Sequence, residues 1–428
     1  MSAVLAEKGY SPALPGHAHS ARWLEDVRHD AFARFEELGF PTAKLEAWRF
    51  TGIQPIVSTT WTSAPAGVSP AAEPWGRGPR VVLVNGRVAP ALSAAPPEGI
   101  RVLGLADALA AEPALLERHL TRLAPYRHNA FPALNTASFE DAACVLIAPG
   151  AVVRAPLTLV LVSAAGGALT VSHPRVLVIA GERSQASIVQ VFEGSGRYLT
   201  NAVTEIEVAP GAALEHTLLQ RESEPASHVH FVAARVGRAA RYVSNNVSLG
   251  STLARTDISV ALEGEGAEAA LNGLFLGRGT QHLDNHTTLD HATPHTSSRE
   301  LYKGVMDGAS RGVFHGTILV RPGAQKTDAI QTNKNLLLSR EALVNSTPVL
   351  QIFADDVKCK HGSTTGQLDE LALFYLRARG IGLPEARALL TRAFAADVSE
   401  RIRAEEVRSE IDREIAERLG GASERGTA

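Results

Sequence analysis

The sequence predicts a mainly β protein, with a right-handed parallel β-helix core between helical N-terminal and C-terminal parts. Three observations carry this reading. Residues 142–366 break into short aliphatic and β-branched runs, among them LTLVLVS, RVLVIA, VTEIEV, HVHFVAARV and GTILV, without a helical period. Related glycine turns recur between them: APGAVV at Gly150, APGAAL at Gly211, VGRAAR at Gly237, GEGAEA at Gly266 and RPGAQK at Gly323. Their intervals of 61, 26, 29 and 57 residues are one or two copies of a period near 28, the mark of stacked units that bury a core only against their neighbours. Aromatic residues make up only 5% of the chain while glycines number 36, which suits a narrow aliphatic interior closed by many turns. A β-sandwich is the competing all-β architecture, but it has no need of repeated turn phrases.

The elements divide the chain into residues 1–141, 142–366 and 367–428. In the first region Trp23, Val27, Ala31, Phe35 and Leu38 follow a 3.6-residue period and predict an amphipathic helix. Gly39 stands at its C-terminal cap, and Pro41 prevents continuation. Ser63–Gly78, rich in Pro, Ala and Gly, reads as a linker, and Gly104–Leu123 as further helix. The third region opens with Asp369 as an N-cap, and Leu368 with Leu373 can form a hydrophobic staple. Leu371, Phe374, Tyr375 and Ala378 line one face of a helix that Gly380 ends. Pro384 starts the next at a first-turn position, with Leu389, Leu390, Ala393 and Phe394 as its apolar face. Val398–Leu419 reads as a charge-laced helix and GGASERGTA as a disordered tail.

Composition narrows the function class. The formal net charge is −3, so the overall balance advertises neither nucleic acid nor an anionic membrane. Two cysteines, Cys144 and Cys359, are too few for a disulfide framework and fit a reducing compartment. The first twenty residues contain no stretch of signal-peptide type, and no run reaches the roughly 18 apolar residues of a membrane span. A cytoplasmic protein is expected.

The most chemically suggestive segment is ADDVKCKHG, in which Cys359 and His361 stand two apart. On a strand such residues share a face, so thiolate and imidazole can reach one metal ion. A buried cysteine beside a surface histidine is the plain alternative. A closed structural site needs about four ligands, and no second cysteine cluster supplies them; any metal here is held incompletely or shared with another chain. A second candidate is QHLDNHTTLDHATPH, with His282, His286, His291 and His295, followed by His315. Asp284 and Asp290 in it are hard ligands suited to iron or magnesium, although the same positions could simply be hydrogen-bonded. There is no P-loop phrase, no G-x-S-x-G elbow and no H-E-x-x-H. The apolar faces of the C-terminal helices serve either the chain's own packing or a docked partner.

Longer phrases carry a resemblance. GVFHGTILVRPGAQKTDAIQTNKNLLLS, then ADDVKCKHGSTTGQLDELALFYLRARGI, the upstream PHTSSRELYKGVMDG and the N-terminal KLEAWRFT resemble the SufB/SufD family from Lys44 to Ile381. The resemblance implies a scaffold, not an enzyme, in iron–sulfur cluster assembly, with a right-handed parallel β-helix between helical ends. It implies a SufB-like core partner and a SufC-like ATPase docked on the C-terminal helices, here Phe374, Tyr375, Leu389, Leu390 and Phe394. In SufB-like chains a cysteine precedes the leucine run, whereas QTNKN here carries Asn333 in its place; the KCxHG phrase of the SufD branch is intact as Lys358–Gly362. His361 then corresponds to a histidine offered to a transient iron or iron–sulfur cluster shared with SufB, with Cys359 as accessory. Reduced flavin on the complex belongs to the same resemblance, but no nucleotide motif accompanies it, and pairing of the isolated chain with its own copy stays open. Two rival expectations are a purely structural partner without metal ligation and a β-helix enzyme acting on polysaccharides. The second lacks a clustered carboxylate set and is poor in aromatics.

Overall fold

Runs of about ten β-branched and aliphatic residues, each closed by a turn, cannot bury both faces alone, so they stack. In the computed structural model, which describes residues 21–164 and 167–420, they form a parallel β-helix of about eight turns. Strand accounts for 41% and helix for 22% of the described residues, as the mainly β reading requires. From Gln185 onward each turn gives one strand to each of two sheets in alternation. The first sheet stacks Tyr198–Val208, Ser227–Val236, Leu253–Leu262, His282–His291, Arg311–Val320 and Leu343–Ile352. The second stacks Ala213–Gln220, Arg241–Ser248, Glu268–Gly277, Ser297–Met306, Asp328–Leu337 and Lys358–Gly366. The register advances 28 residues from Leu199 to Ser227, 26 from Ser227 to Leu253 and 32 from Arg311 to Leu343. The period read from the turn phrases lies within this range.

Alternate side chains on each strand point between the sheets. There Ile206, Val232, Ile258 and Leu289 of the first sheet meet Ile188, Leu214, Leu218 and Leu271 of the second in one continuous core. The outer faces are covered by helix. Leu199, Val229 and Leu253 face the N-terminal region, and Val191, Leu219, Val247 and Leu274 face the C-terminal helices.

The N-terminal region holds α1 (Arg22–Leu38), α2 (Gln54–Val57), α3 (Leu105–Ala111), α4 (Pro113–His119) and α5 (Ala130–Ser138). The buried stripe of α1 is Leu24, Arg28, Ala31 and Phe35, while Leu38 is exposed. The stripe is rotated from the apolar period because Arg28 belongs to it. Its guanidinium donates to the Phe139 carbonyl at 3.1 Å and lies over that ring. The Ser63–Gly78 segment is irregular yet anchored: Trp75 is buried, and its backbone N–H donates to the Glu193 carboxylate at 3.0 Å. The sheets also reach back before residue 142. Arg80–Val84 pairs in parallel with Leu157–Ala164, and Ile100–Leu103 pairs antiparallel with Ala143–Ile147.

The C-terminal part is α6 (Glu370–Arg377), α7 (Leu383–Ser399) and α8 (Glu405–Gly420). The single helix expected over Val398–Leu419 is broken between α7 and α8, where Ile402 is buried against the second sheet. The first twenty residues and the tail from residue 421 lie outside the described residues. Among the described residues no helix is long and apolar enough to cross a membrane.

Candidate functional site at the open end of the coil

The strands Leu343–Ile352 and Lys358–Gly366 are the last of their sheets, and among the described residues nothing pairs with their outer edges. Lys358-Cys359-Lys360-His361 alternates, so that the lysines point outward from the edge, where charge discourages indiscriminate strand pairing. Cys359 packs against the interior cluster, and His361, Ser363 and Thr365 follow on the same face. Their register partners one turn deeper are Ala329, Gln331, Asn333 and Asn335. Ser363 Oγ lies 2.8 Å from Ser346 Oγ across the interior. Cys359 is half-buried and His361 exposed, so the pair lines the mouth of the coil. Burial pushes the Cys359 thiol up, and Asp328 adds to this against the Ala329 backbone contact. Unaided, it remains a thiol at neutral pH.

Behind the mouth the interior turns polar, which the motif reading did not find. Gln331 Nε2 donates to Glu300 at 2.7 Å. Glu300 is buried, and burial pushes its carboxyl up to about 7 against the hydrogen bond from Gln331. Asn333 is fully buried; its Nδ2 donates to the Tyr302 carbonyl at 3.2 Å and its Oδ1 accepts from Asn335 at 2.6 Å. The only signal in the sequence was polar residues in phase with the coil: Glu300, Gln331 and His361 occupy one column.

The histidine run does not converge on a metal. His282, Asp284 and His286 face outward toward the N-terminal region, whereas His291 turns inward and bonds Thr296 and Ser298 at 2.8 and 2.9 Å. Asp284 accepts from Thr51 Oγ1 at 2.6 Å and Arg255 at 3.0 Å, and lies 3.0 Å from His286 Nε2. Burial alone would raise its carboxyl, but His286 and Arg255 hold it far below the usual carboxylate range. Arg255 also donates to the Ala47 carbonyl at 2.5 Å and sits 3.8 Å from the Trp48 ring centre. His286 stacks on His315 with ring centres 4.9 Å apart, His295 occupies a turn at φ 58°, and Asp290 is taken by Arg321. The segment therefore latches the KLEAWRFT phrase to the coil. Among the described residues no group of three or more His, Cys, Asp or Glu side chains could hold a metal ion.

In the C-terminal part, Asp369 caps α6 by accepting from the Leu371 N–H at 2.8 Å. Leu371, Phe374 and Tyr375 on that helix are 78%, 71% and 56% exposed. On α7, Leu389 is exposed and Leu390 half-buried. Phe394 is used internally: it packs toward the second sheet, with Lys303 Nζ 4.3 Å from its ring centre. On α8, Val407, Ile411 and Ile415 are buried against the same sheet. A cleft of about 620 Å³ lies at the N-terminus of α8, lined by Arg154, Arg241, Arg403, Glu215, Glu405 and Glu406 among others. It belongs to the early turns and shares no residue with the mouth.

A helix-flanked parallel β-helix whose last described turn has unpaired strand edges, with one cysteine and one histidine on its inward face, defines a β-solenoid protein. Residues 161–394 match the SUF system FeS cluster assembly SufBD core domain, and residues 16–69 and 78–159 the SufBD protein N-terminal region. The chain belongs to the SufBD family of iron–sulfur cluster assembly proteins. It is 31% identical over 400 residues to the iron–sulfur cluster assembly protein SufD of Escherichia coli K12, covering 90% of each chain. A SufBD family protein of Synechocystis sp. PCC 6803 is 31% identical over 398 residues, covering 89% of this chain and 87% of its own. The chloroplastic protein ABCI7 of Arabidopsis thaliana is 36% identical over 291 residues, covering 65% and 61%.

Proposed function

We propose that this chain is a SufD-type scaffold subunit that joins a SufB-like subunit through the open turn and contributes His361 to a shared iron or nascent cluster site. The observation that carries the reading is the mouth itself: two full-length terminal strands whose outer edges are unpaired among the described residues, with Cys359 and His361 on the inward face. A neutral imidazole is a good iron ligand, and one histidine with a protonated thiol cannot complete a coordination sphere. Thiolates from the partner chain would complete it. Iron and sulfide are here the cargo of the reaction.

The exposed apolar side of α6 supports docking of a SufC-like ATPase, since Leu371, Phe374 and Tyr375 are each more than half exposed there. ATP-driven approach of two such ATPases would pull on the docked helices and strain the paired core, opening the shared site. Co-expression of the full complex with His361→Ala tests the ligand role. Iron and acid-labile sulfide per complex are expected to fall severalfold while the subunits still co-purify. Unchanged iron and sulfide would leave this chain a purely structural partner.

A further inference from the structure

Side chains on the terminal turn reach for those one turn deeper, and one step of that ladder is missing. Ser363 Oγ lies 3.4 Å from Asn333 Oδ1, and Asn335 Nδ2 donates to Thr365 Oγ1 at 3.3 Å. Gln331 is the residue beneath His361 in the same register. Its Nε2 is committed to the inner neighbour Glu300, and its Oε1 is buried without a hydrogen-bond partner. With the nitrogen directed inward, the oxygen is the end of the amide left for the outer neighbour. The amide is also wedged from the opposite sheet. A Cβ at Gly316 would stand 2.2 Å from Gln331 Nε2, so a larger residue there would displace the amide.

A buried amide oxygen without a donor is costly and uncommon in native proteins. The donor that the register offers is a ring N–H of His361. Metal-binding histidines regularly donate their second N–H to a carbonyl or carboxylate, which selects one tautomer and aims the other nitrogen. We propose that Gln331 is a positioning residue for His361: it accepts one imidazole N–H, with Glu300 and Gly316 holding the amide, so that the remaining nitrogen presents its lone pair at the mouth. The purpose of this arrangement rests on the reading of His361 as an iron ligand, but its geometry does not.

The test is the tautomer of His361, read from imidazole ¹⁵N shifts of the histidine-labelled full chain above neutral pH. In the unaltered chain one tautomer should dominate by roughly fivefold over the free-imidazole ratio, about what one net hydrogen bond supplies. Gln331→Leu should return the ratio to that of free imidazole. Gly316→Ala, which displaces the amide without deleting it, should shift it the same way, and Gln331→Glu should restore the preference because a carboxylate still accepts. An unchanged ratio in Gln331→Leu would overturn the proposal. So would failure of Gln331→Glu to restore a preference that Gln331→Leu had abolished. A tautomer response together with unchanged iron in the His361→Ala complex would retain Gln331 as a positioning residue and remove ligation. The converse result would remove Gln331 alone.

Discussion

Arg255 shows how much a single side chain decides. It is 2% exposed and bonds Asp257, Asp284 and the Ala47 carbonyl, more than 200 residues away in the chain. Removing one member of a buried charge group leaves the others desolvated and uncompensated. Arg255→Ala is therefore expected to cost about 3–5 kcal/mol in urea unfolding, near the upper end of single-substitution effects. Glu300 makes the opposite kind of prediction, because it has no charged partner. Tyr302 lies near it, and His291 is held on Ser298, two residues before it on the same inward face. Its folded carboxyl titrates at about 7, against an ordinary value of 4.5. Between these values the folded chain holds a proton that the unfolded chain has lost, so this group's contribution to stability is lost as pH rises through about 7. Glu300→Gln should remove that component: thermal melts at pH values on either side of the window should diverge less for the variant than for the unaltered chain. Equal divergence would mean that Glu300 is not the titrating group. Neither residue stood out in the sequence, where an isolated arginine and glutamate look like surface charge.

At the scale of elements, the helix-forming pattern was legible but its destination was not. Asp369, Gly380 and Pro384 mark the ends of α6 and the start of α7 by local chemistry alone, and both helices occur there. Yet the apolar face of α7 is divided. Ala395 and Val398 are buried on the coil, Phe394 packs partly on it, and Leu389 looks outward. α6 contributes no buried residue at all. The double substitution Leu371→Asp with Phe374→Asp should change unfolding free energy by less than about 0.5 kcal/mol per site, as exposed positions do. It should nevertheless abolish co-purification of the proposed SufC-like ATPase. A large loss of stability would instead make α6 part of this chain's own fold. The histidine run fell to the same ambiguity. Strand alternation sends His286 outward and His291 inward, so closeness in sequence did not become closeness in space.

For the whole molecule, the decisive feature is that among the described residues nothing pairs with the last strands at one end of the coil. The first sheet ends on a strand containing Pro348, a residue tolerated at sheet edges because it lacks a ladder donor. The second ends on lysine-flanked Cys359. Ile352 and Phe353 stand at this end, 40% and 62% exposed. Their joint replacement by lysine should leave the melting curve of the isolated chain nearly unchanged. It should prevent the proposed pairing with a SufB-like subunit, and any self-association of the isolated chain, in sedimentation velocity measurements. Persistence of the pairing would place the interface elsewhere.

By itself the sequence determined the coil, its approximate period and the shared face of Cys359 and His361, because alternation and turn chemistry are local properties of a few neighbouring residues. Tertiary structure alone decided which residues stack above one another. The advance per turn varies from 26 to 33 residues, so a column cannot be counted out from a period: an error of one residue turns a side chain from the interior to the surface. That is why the segment around His361 was legible as chemistry, while Gln331 and Glu300 beneath it became visible only once the turns were in register.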